Sequence, residues 1–195
     1  MLNKMGAKIT RAGTSKVYIE GVNYLNGCSH EVIPDRIEAG TFLIAAAATL
    51  SAITISPVIP SHLKSLLQKL QESGSKIIIK NNSISIKTEK IKAVNIETAP
   101  FPGFPTDLQA PFTVLMLKAT GKSIIKETIF ENRMSHIELL NKMGASIKLE
   151  NNIATVSGVQ KLSGRNLKGS DLRSTAAIVI AALAAENTSL VEGLE

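Results

Sequence analysis

Three aspartates stand immediately ahead of apolar runs, each in a short polar loop. They are Asp35 in Pro34-Asp35-Arg36-Ile37-Glu38-Ala39-Gly40-Thr41, Asp107 in Pro105-Thr106-Asp107-Leu108-Gln109-Ala110, and Asp171 in Gly169-Ser170-Asp171-Leu172-Arg173-Ser174-Thr175. The plain role of an aspartate before a helix is an N-cap, its carboxylate accepting backbone N–H bonds. Capping does not need the arginines that accompany two of them, Arg36 and Arg173. It also does not need the stiff approach to Asp107, where Pro102-Gly103-Phe104-Pro105 restricts the backbone and fixes where the carboxylate points. A rigid loop at a helix start can place a general base or an anion site.

A fourth polar cluster, Phe130-Glu131-Asn132-Arg133, matches the uncharged Pro57-Val58-Ile59-Pro60 elsewhere in the chain. As structure alone it is a solvated helix start; as chemistry, Arg133 offers a planar fork for a phosphate or carboxylate. The histidines carry less. His62 and His136 follow Ser61 and Ser135 at equivalent places, which predicts structural roles, and His30 beside Cys28 is too few residues for a metal site. Cys28 has no partner base nearby and reads as a buried or incidental thiol. There is no Gly-rich phosphate loop and no G-x-S-x-G elbow.

The elements around these loops repeat. Leu2-Asn3-Lys4-Met5-Gly6-Ala7-Lys8-Ile9, Leu70-Gln71-Glu72-Ser73-Gly74-Ser75-Lys76-Ile77 and Leu140-Asn141-Lys142-Met143-Gly144-Ala145-Ser146-Ile147 align about 70 residues apart, the size of a small βαβαββ module. Leu63, Leu66, Leu67 and Leu70, like Met134, Ile137, Leu140 and Met143, form one apolar helical stripe ending at a C′ glycine. Hairpins follow, 76–80 with 83–87 and 146–150 with 153–157, each turning on paired asparagines. The aspartate loops lead into apolar helices at 42–48, 112–119 and 176–185 that lack a polar face and are expected to be buried, then into strands at 52–56, 123–127 and 188–192. The repeat is therefore acidic loop, buried helix, strand, amphipathic helix, hairpin. Copy one covers 34–92, copy two 93–162, and copy three runs from 165 to 195 without its second helix and hairpin. Residues 1–31 read as the end of a helix and a hairpin, so the sequence has the look of a piece of a larger protein.

The composition agrees with a packed chain. Of 195 residues 44% are hydrophobic and 19% charged, enough apolar content for one domain or one and a half. The apolar runs fall short of the roughly 20 residues a membrane helix needs, so no membrane partner is expected. No secretion signal opens the sequence, and a single cysteine fits a reducing compartment, which together predict a cytoplasmic protein. The net charge of +6 permits anionic partners. Nucleic acid is not expected: the lysines are scattered, and five Phe and two Tyr make no stacking platform. A small phosphorylated substrate accounts for the same excess.

Taken together, Pro34-Asp35-Arg36-Ile37-Glu38-Ala39-Gly40-Thr41-Phe42, Phe104-Pro105-Thr106-Asp107-Leu108-Gln109, Phe130-Glu131-Asn132-Arg133 and Asp171-Leu172-Arg173 resemble the enolpyruvyl transferases, in particular those acting on a UDP-sugar. The resemblance runs through the whole sequence in order. It implies an α/β fold of repeated βαβαββ units, an inside-out α/β barrel-like arrangement, in two domains with the active site between them. Residues 1–32 would then be the tail of the preceding domain, and 33–195 most of the catalytic, UDP-sugar-binding domain, with a hinge near Pro34.

The implied reaction transfers the enolpyruvyl group of phosphoenolpyruvate to the 3-hydroxyl of UDP-N-acetylglucosamine, releasing phosphate for peptidoglycan precursor synthesis, with no cofactor and no metal. By resemblance Asp107 would contact the sugar 3-hydroxyl as its base. Ile129 would bind the UDP-sugar through its backbone, and Arg133, Asp171 and Arg173 would surround the reacting groups. The family's cysteine-bearing proton-donor loop has no counterpart here, Cys28 not matching it, so the 195 residues alone are expected to be inactive. The unfinished third copy, which leaves apolar helix faces uncovered, is expected to make them marginally folded. Two other readings stay open: the shikimate-pathway enolpyruvyl transferase, which the Asp107 and Phe130–Arg133 motifs fit poorly, and a non-catalytic binding module of the same fold.

Overall fold

A computed structural model describes residues 1–158 and 161–193. Val159 and Gln160, inside the second copy, and Leu194 and Glu195, which end the third, lie outside the described residues. The chain divides into two compact units, Met1–Ile33 and Pro34–Glu195.

In the first unit a 3-10 turn, Leu2–Met5, ends at Gly6 with φ +100°, and strands β1 (Lys8–Thr10) and β2 (Tyr18–Glu20) pair antiparallel. The Asn3 side chain ties the turn to β1: it accepts from the Ile9 N–H at 2.9 Å and donates to the Ile9 carbonyl at 2.7 Å. Asn141 makes the same pair of bonds with Ile147 in the second unit, both at 3.1 Å. The sequence repeat is thus also a repeat of side-chain roles.

The second unit begins with α1 (Arg36–Ala48), β3 (Ala52–Ile55) and α2 (Lys64–Glu72), then the hairpin β4 (Lys76–Lys80) and β5 (Ser83–Lys87). Copy two adds β6 (Ile96–Glu97), α3 (Gln109–Leu117), β7 (Lys122–Lys126), α4 (His136–Lys142), β8 (Ser146–Glu150) and β9 (Ile153–Ser157). Copy three supplies β10 (Asn166–Lys168), α5 (Leu172–Leu183) and β11 (Leu190–Glu192). The strands form sheets β3-β5-β4, β6-β7-β9-β8 and β10-β11. Both hairpins have the expected bounds, and their first asparagines, Asn81 and Asn151, take positive φ. The short strands β6 and β10 are the first strands that a βαβαββ unit requires, at places the sequence pattern does not mark. Each pairs parallel with the strand that follows its copy's apolar helix, completing the βαβ crossover.

Both amphipathic stripes are buried: Leu63, Leu66, Leu67 and Leu70 on one side, Met134, Ile137, Leu140 and Met143 on the other. A buried side chain of this size stabilises by about 2 kcal/mol. The glycines after them, Gly74 and Gly144, take φ of +106° and +92°, the left-handed geometry a C′ residue needs. Helices α1, α3 and α5 pack against one another. Every residue of α3 is buried, but Phe42 on α1 and Leu172 and Leu183 on α5 are exposed. Full burial therefore holds for α3 alone, because it is packed by both other helices and by β7 and β9, while α1 and α5 each turn a face away from it.

The apolar helices also start earlier than their apolar runs. Asp35 and Asp171 cap α1 and α5 ahead of the first apolar turn, and Pro111 is accommodated in the first turn of α3. No helix among the described residues is long and apolar enough to cross a membrane.

Candidate functional site

The three aspartates divide by role. Asp35 Oδ1 accepts the Ile37 and Glu38 N–H groups at 2.6 and 3.4 Å, and Asp171 Oδ1 accepts those of Arg173 and Ser174 at 3.0 and 3.1 Å. Both are N-caps. Asp107 is not: it lies within a 3-10 turn, Thr106–Leu108, just ahead of α3. Leu108 anchors that turn in the core opposite Gly40, where an added Cβ would stand 2.5 Å from a Leu108 methyl. Phe104, three residues before Asp107, is buried edge-on against Phe112 at 5.3 Å. With both neighbours packed inward, the Asp107 side chain remains about one-third exposed.

Two arginines from different copies meet on it. Arg133 Nη1 donates to Asp107 Oδ1 at 3.1 Å, and Arg173 Nε donates to the same oxygen at 2.5 Å. Arg133 Nη1 also reaches Thr106 Oγ1 at 2.8 Å, and its guanidinium lies over the Phe130 ring at 4.1 Å. The side-chain exposure is 18% for Arg133 and 36% for Arg173, so the pair lies at a partly buried surface. Both arginines use Oδ1; among the described residues Oδ2 of Asp107 accepts no hydrogen bond. Two guanidiniums around one carboxyl leave the cluster with one excess positive charge, suited to an anionic ligand.

Asp171 stands one step away. It holds Arg173 through the backbone cap, and its Oδ2 accepts from Ser135 and Ser174 Oγ at 2.9 and 2.5 Å, joining the start of α4 to α5. Burial pushes the Asp171 carboxyl up, but the bonds from Ser174, Ser135 and the Arg173 N–H outweigh it and hold the group well below the usual aspartate range. Ile129 donates its N–H to Glu127 Oε1 at 2.8 Å and, among the described residues, makes no hydrogen bond to the cluster. The structure therefore brings Asp107, Arg133 and Arg173 into direct contact, links Asp171 to them through Arg173, and ties Ile129 to Glu127, which directly follows β7.

That residue, Glu127, is the main one missed. The β7 alternation, with Ser123 and Ile125 inward, puts Glu127 on the same inward parity, so a charged residue at an interior position was a legible signal. Of the remaining candidates, His136 borders Asp171. His62 sits in a 3-10 turn, Pro60–Leu63, and Cys28 is exposed in the first unit. His136 is buried at the start of α4, and its imidazole is pushed down to about 4 by burial, with Asp171 partly opposing.

Known proteins share this architecture. The EPSP synthase (3-phosphoshikimate 1-carboxyvinyltransferase) family matches residues 1–195. A UDP-N-acetylglucosamine 1-carboxyvinyltransferase of Prochlorococcus marinus (strain MIT 9312) is 69% identical over 195 residues, which is 100% of this chain and 43% of the relative. A second UDP-N-acetylglucosamine 1-carboxyvinyltransferase, from Prochlorococcus marinus (strain NATL2A), is 57% identical over 196 residues, covering 100% of this chain and 43% of the relative. The chain thus spans less than half the length of these curated relatives. Among solved structures, the enolpyruvyl transferase NikO from Streptomyces tendae superimposes with a TM-score of 0.86 at 22% identity, over 98% of this chain and 47% of that one, a likeness of fold. With its repeated α/β units and a family match along its whole length, this chain belongs to the EPSP synthase family of enolpyruvyl (1-carboxyvinyl) transferases.

Proposed function

We propose that the chain carries the acceptor-hydroxyl side of an enolpyruvyl transfer site, in which phosphoenolpyruvate reacts with the 3-hydroxyl of UDP-N-acetylglucosamine and phosphate is released. The observation that carries this reading is the double arginine contact on one oxygen of Asp107. With Oδ1 held by two guanidiniums, Oδ2 is the oxygen placed to accept the hydroxyl proton as the sugar oxygen attacks C2 of phosphoenolpyruvate. Carbon 3 gains a proton in the same addition. Phosphate then leaves the tetrahedral intermediate as carbon 3 gives a proton up again. Arg133 and Arg173 act on the negative charge of the phosphate and carboxylate groups, where planar guanidiniums bind best. Asp171 holds Arg173 in place, and Ile129 offers backbone to the UDP-sugar. On this reading residues 1–32 are the tail of a preceding domain and 33–195 most of the catalytic one. The high identity to relatives named for the UDP-sugar reaction favours that acceptor over shikimate 3-phosphate.

The test is a chimera in which these 195 residues replace the matching segment of the strain MIT 9312 relative. Phosphate release that depends on UDP-N-acetylglucosamine is the expected result, with none from the 195-residue chain alone. Release dependent on shikimate 3-phosphate, or none from a folded chimera, would overturn the reading.

A further inference from the structure

Glu127 follows β7 with only 2% of its surface exposed. Four donors converge on its carboxyl group. Thr98 Oγ1 and the N–H groups of Ile129 and Phe130 reach Oε1 at 2.9, 2.8 and 3.2 Å, and Thr106 Oγ1 reaches Oε2 at 2.8 Å. None of the four is a cation. Burying a carboxyl is costly unless its oxygens are hydrogen-bonded, so this arrangement needs a reason beyond packing.

The repeat shows that packing alone does not require it. In copy one the Val58 N–H donates to the Asn82 carbonyl at 2.8 Å, just as the Glu127 N–H donates to the Asn152 carbonyl at 2.9 Å. These bonds set Val58 opposite Glu127 and not opposite Glu131, where aligning residues 57–60 with 130–133 puts it. Val58 is 3% exposed, so the same junction closes there on an apolar side chain. What copy two has in addition is the Asp107 cluster, and the carboxyl reaches it by two routes. Through Oε2 it holds Thr106, whose hydroxyl oxygen receives Arg133 Nη1 and which adjoins Asp107. Through Oε1 it holds the Phe130 backbone, and the Phe130 ring lies beneath the Arg133 guanidinium. Thr98, its other side-chain partner, accepts the Thr128 N–H at 2.8 Å and so braces the same loop.

We propose that Glu127 is a positioning residue for the Asp107–Arg133 pair, fixing the Thr106–Asp107 turn and the 128–130 loop to each other so that Arg133 has one orientation. This rests on the functional reading above, and Glu127 itself touches no substrate. Glutamine separates the two routes. Its carbonyl oxygen can still accept from Thr98 and the Ile129 and Phe130 N–H groups, but its amide donates toward Thr106 Oγ1, which already receives Arg133. In the chimera, Glu127→Gln should lower kcat by roughly 10- to 100-fold, the usual cost of loosening a supporting shell, with KM for UDP-N-acetylglucosamine changed by less than about threefold. Glu127→Val, the side chain copy one uses, should lose both routes and worsen kcat and KM together.

Thr106→Val cuts the same link from the other side. The double variant Glu127→Gln/Thr106→Val should therefore be no slower than the slower single variant, within about twofold. Independently of turnover, arginine side-chain NMR of the labelled chimera should show Arg133 ordered in the parent and averaged in Glu127→Gln. An unchanged kcat, or multiplicative losses in the double variant, would overturn the proposal. An unchanged Arg133 signal would do so as well. If the parent chimera folds but does not turn over, the functional reading fails, and the Arg133 signal still decides the positioning role by itself.

Discussion

Arg173 donates its Nε proton to Asp107 across 66 residues, from the first turn of α5 to the turn that precedes α3. The two residues come from successive copies of the repeat, each at the start of that copy's apolar helix, yet the acidic loops they belong to take different parts. Asp171, two residues before Arg173, caps its helix, whereas Asp107 leaves its helix uncapped and binds arginines instead. A repeat that places acidic loops side by side can thus commit one of them to structure and free another for chemistry.

Arg133 and Arg173 should not tolerate lysine. Arg133 spans Thr106, Asp107 and the Phe130 ring at once, and Arg173 uses Nε, a donor that lysine lacks. Arg133→Lys and Arg173→Lys are each expected to lower kcat/KM by about 10- to 100-fold in the chimera, measured by phosphate release. Activity within about threefold of the parent for both would show that the arginines do not stabilise the reacting groups.

The two N-caps give a matched pair of variants. Asp35→Ala and Asp171→Ala should each destabilise by about 1–2 kcal/mol, the usual range for losing a cap, as read by chemical denaturation. Only Asp171→Ala should also depress turnover, because the Asp171 carboxyl accepts the backbone N–H of Arg173, whereas Asp35 has no part in the cluster. The Asp171 carboxyl is held below its ordinary value, so its stabilising contribution is present above about pH 4 and is lost as the pH falls further. Equal loss of activity in both variants would show that the cap, not Arg173, matters.

His136 predicts a second pH dependence with a different window. Its imidazole is buried and pushed from 6.5 down to about 4, so the unfolded chain takes up a proton before the folded one does. Stability should fall as the pH drops from 6.5 toward 4, by about 3 kcal/mol over that interval, and level off below it where His136 alone is concerned. His136→Leu should flatten the dependence. Denaturation curves at about pH 7, 5.5 and 4.5 check this; an equally steep fall in the variant would assign the loss to other groups.

Much of this was legible in the sequence because the repeat constrains it. The leucine stripe before Gly74, the asparagine turns at Asn81 and Asn151 and the bounds of both hairpins follow from periodicity and turn chemistry. The strands β6 and β10 did not, since two or three residues carry no period and form only because a partner strand lies alongside. The residues around Asp107 were nameable one by one, but their contacts span 26 and 66 residues and depend on how successive copies stack. Glu127 shows the difference. Its inward parity on β7 was readable, whereas its four donors come from three separate segments that only the folded chain brings together.

The most direct measurement is the single-turnover rate of the chimera carrying Asp107→Asn, with thermal unfolding and UDP-N-acetylglucosamine binding followed on the same protein. Asparagine keeps the shape and one acceptor oxygen for the arginines but cannot take the hydroxyl proton. The rate should be at least about 100-fold slower, with melting and sugar-nucleotide affinity close to the parent. A rate within about threefold of the parent, in a protein equally folded and equally able to bind, would contradict it.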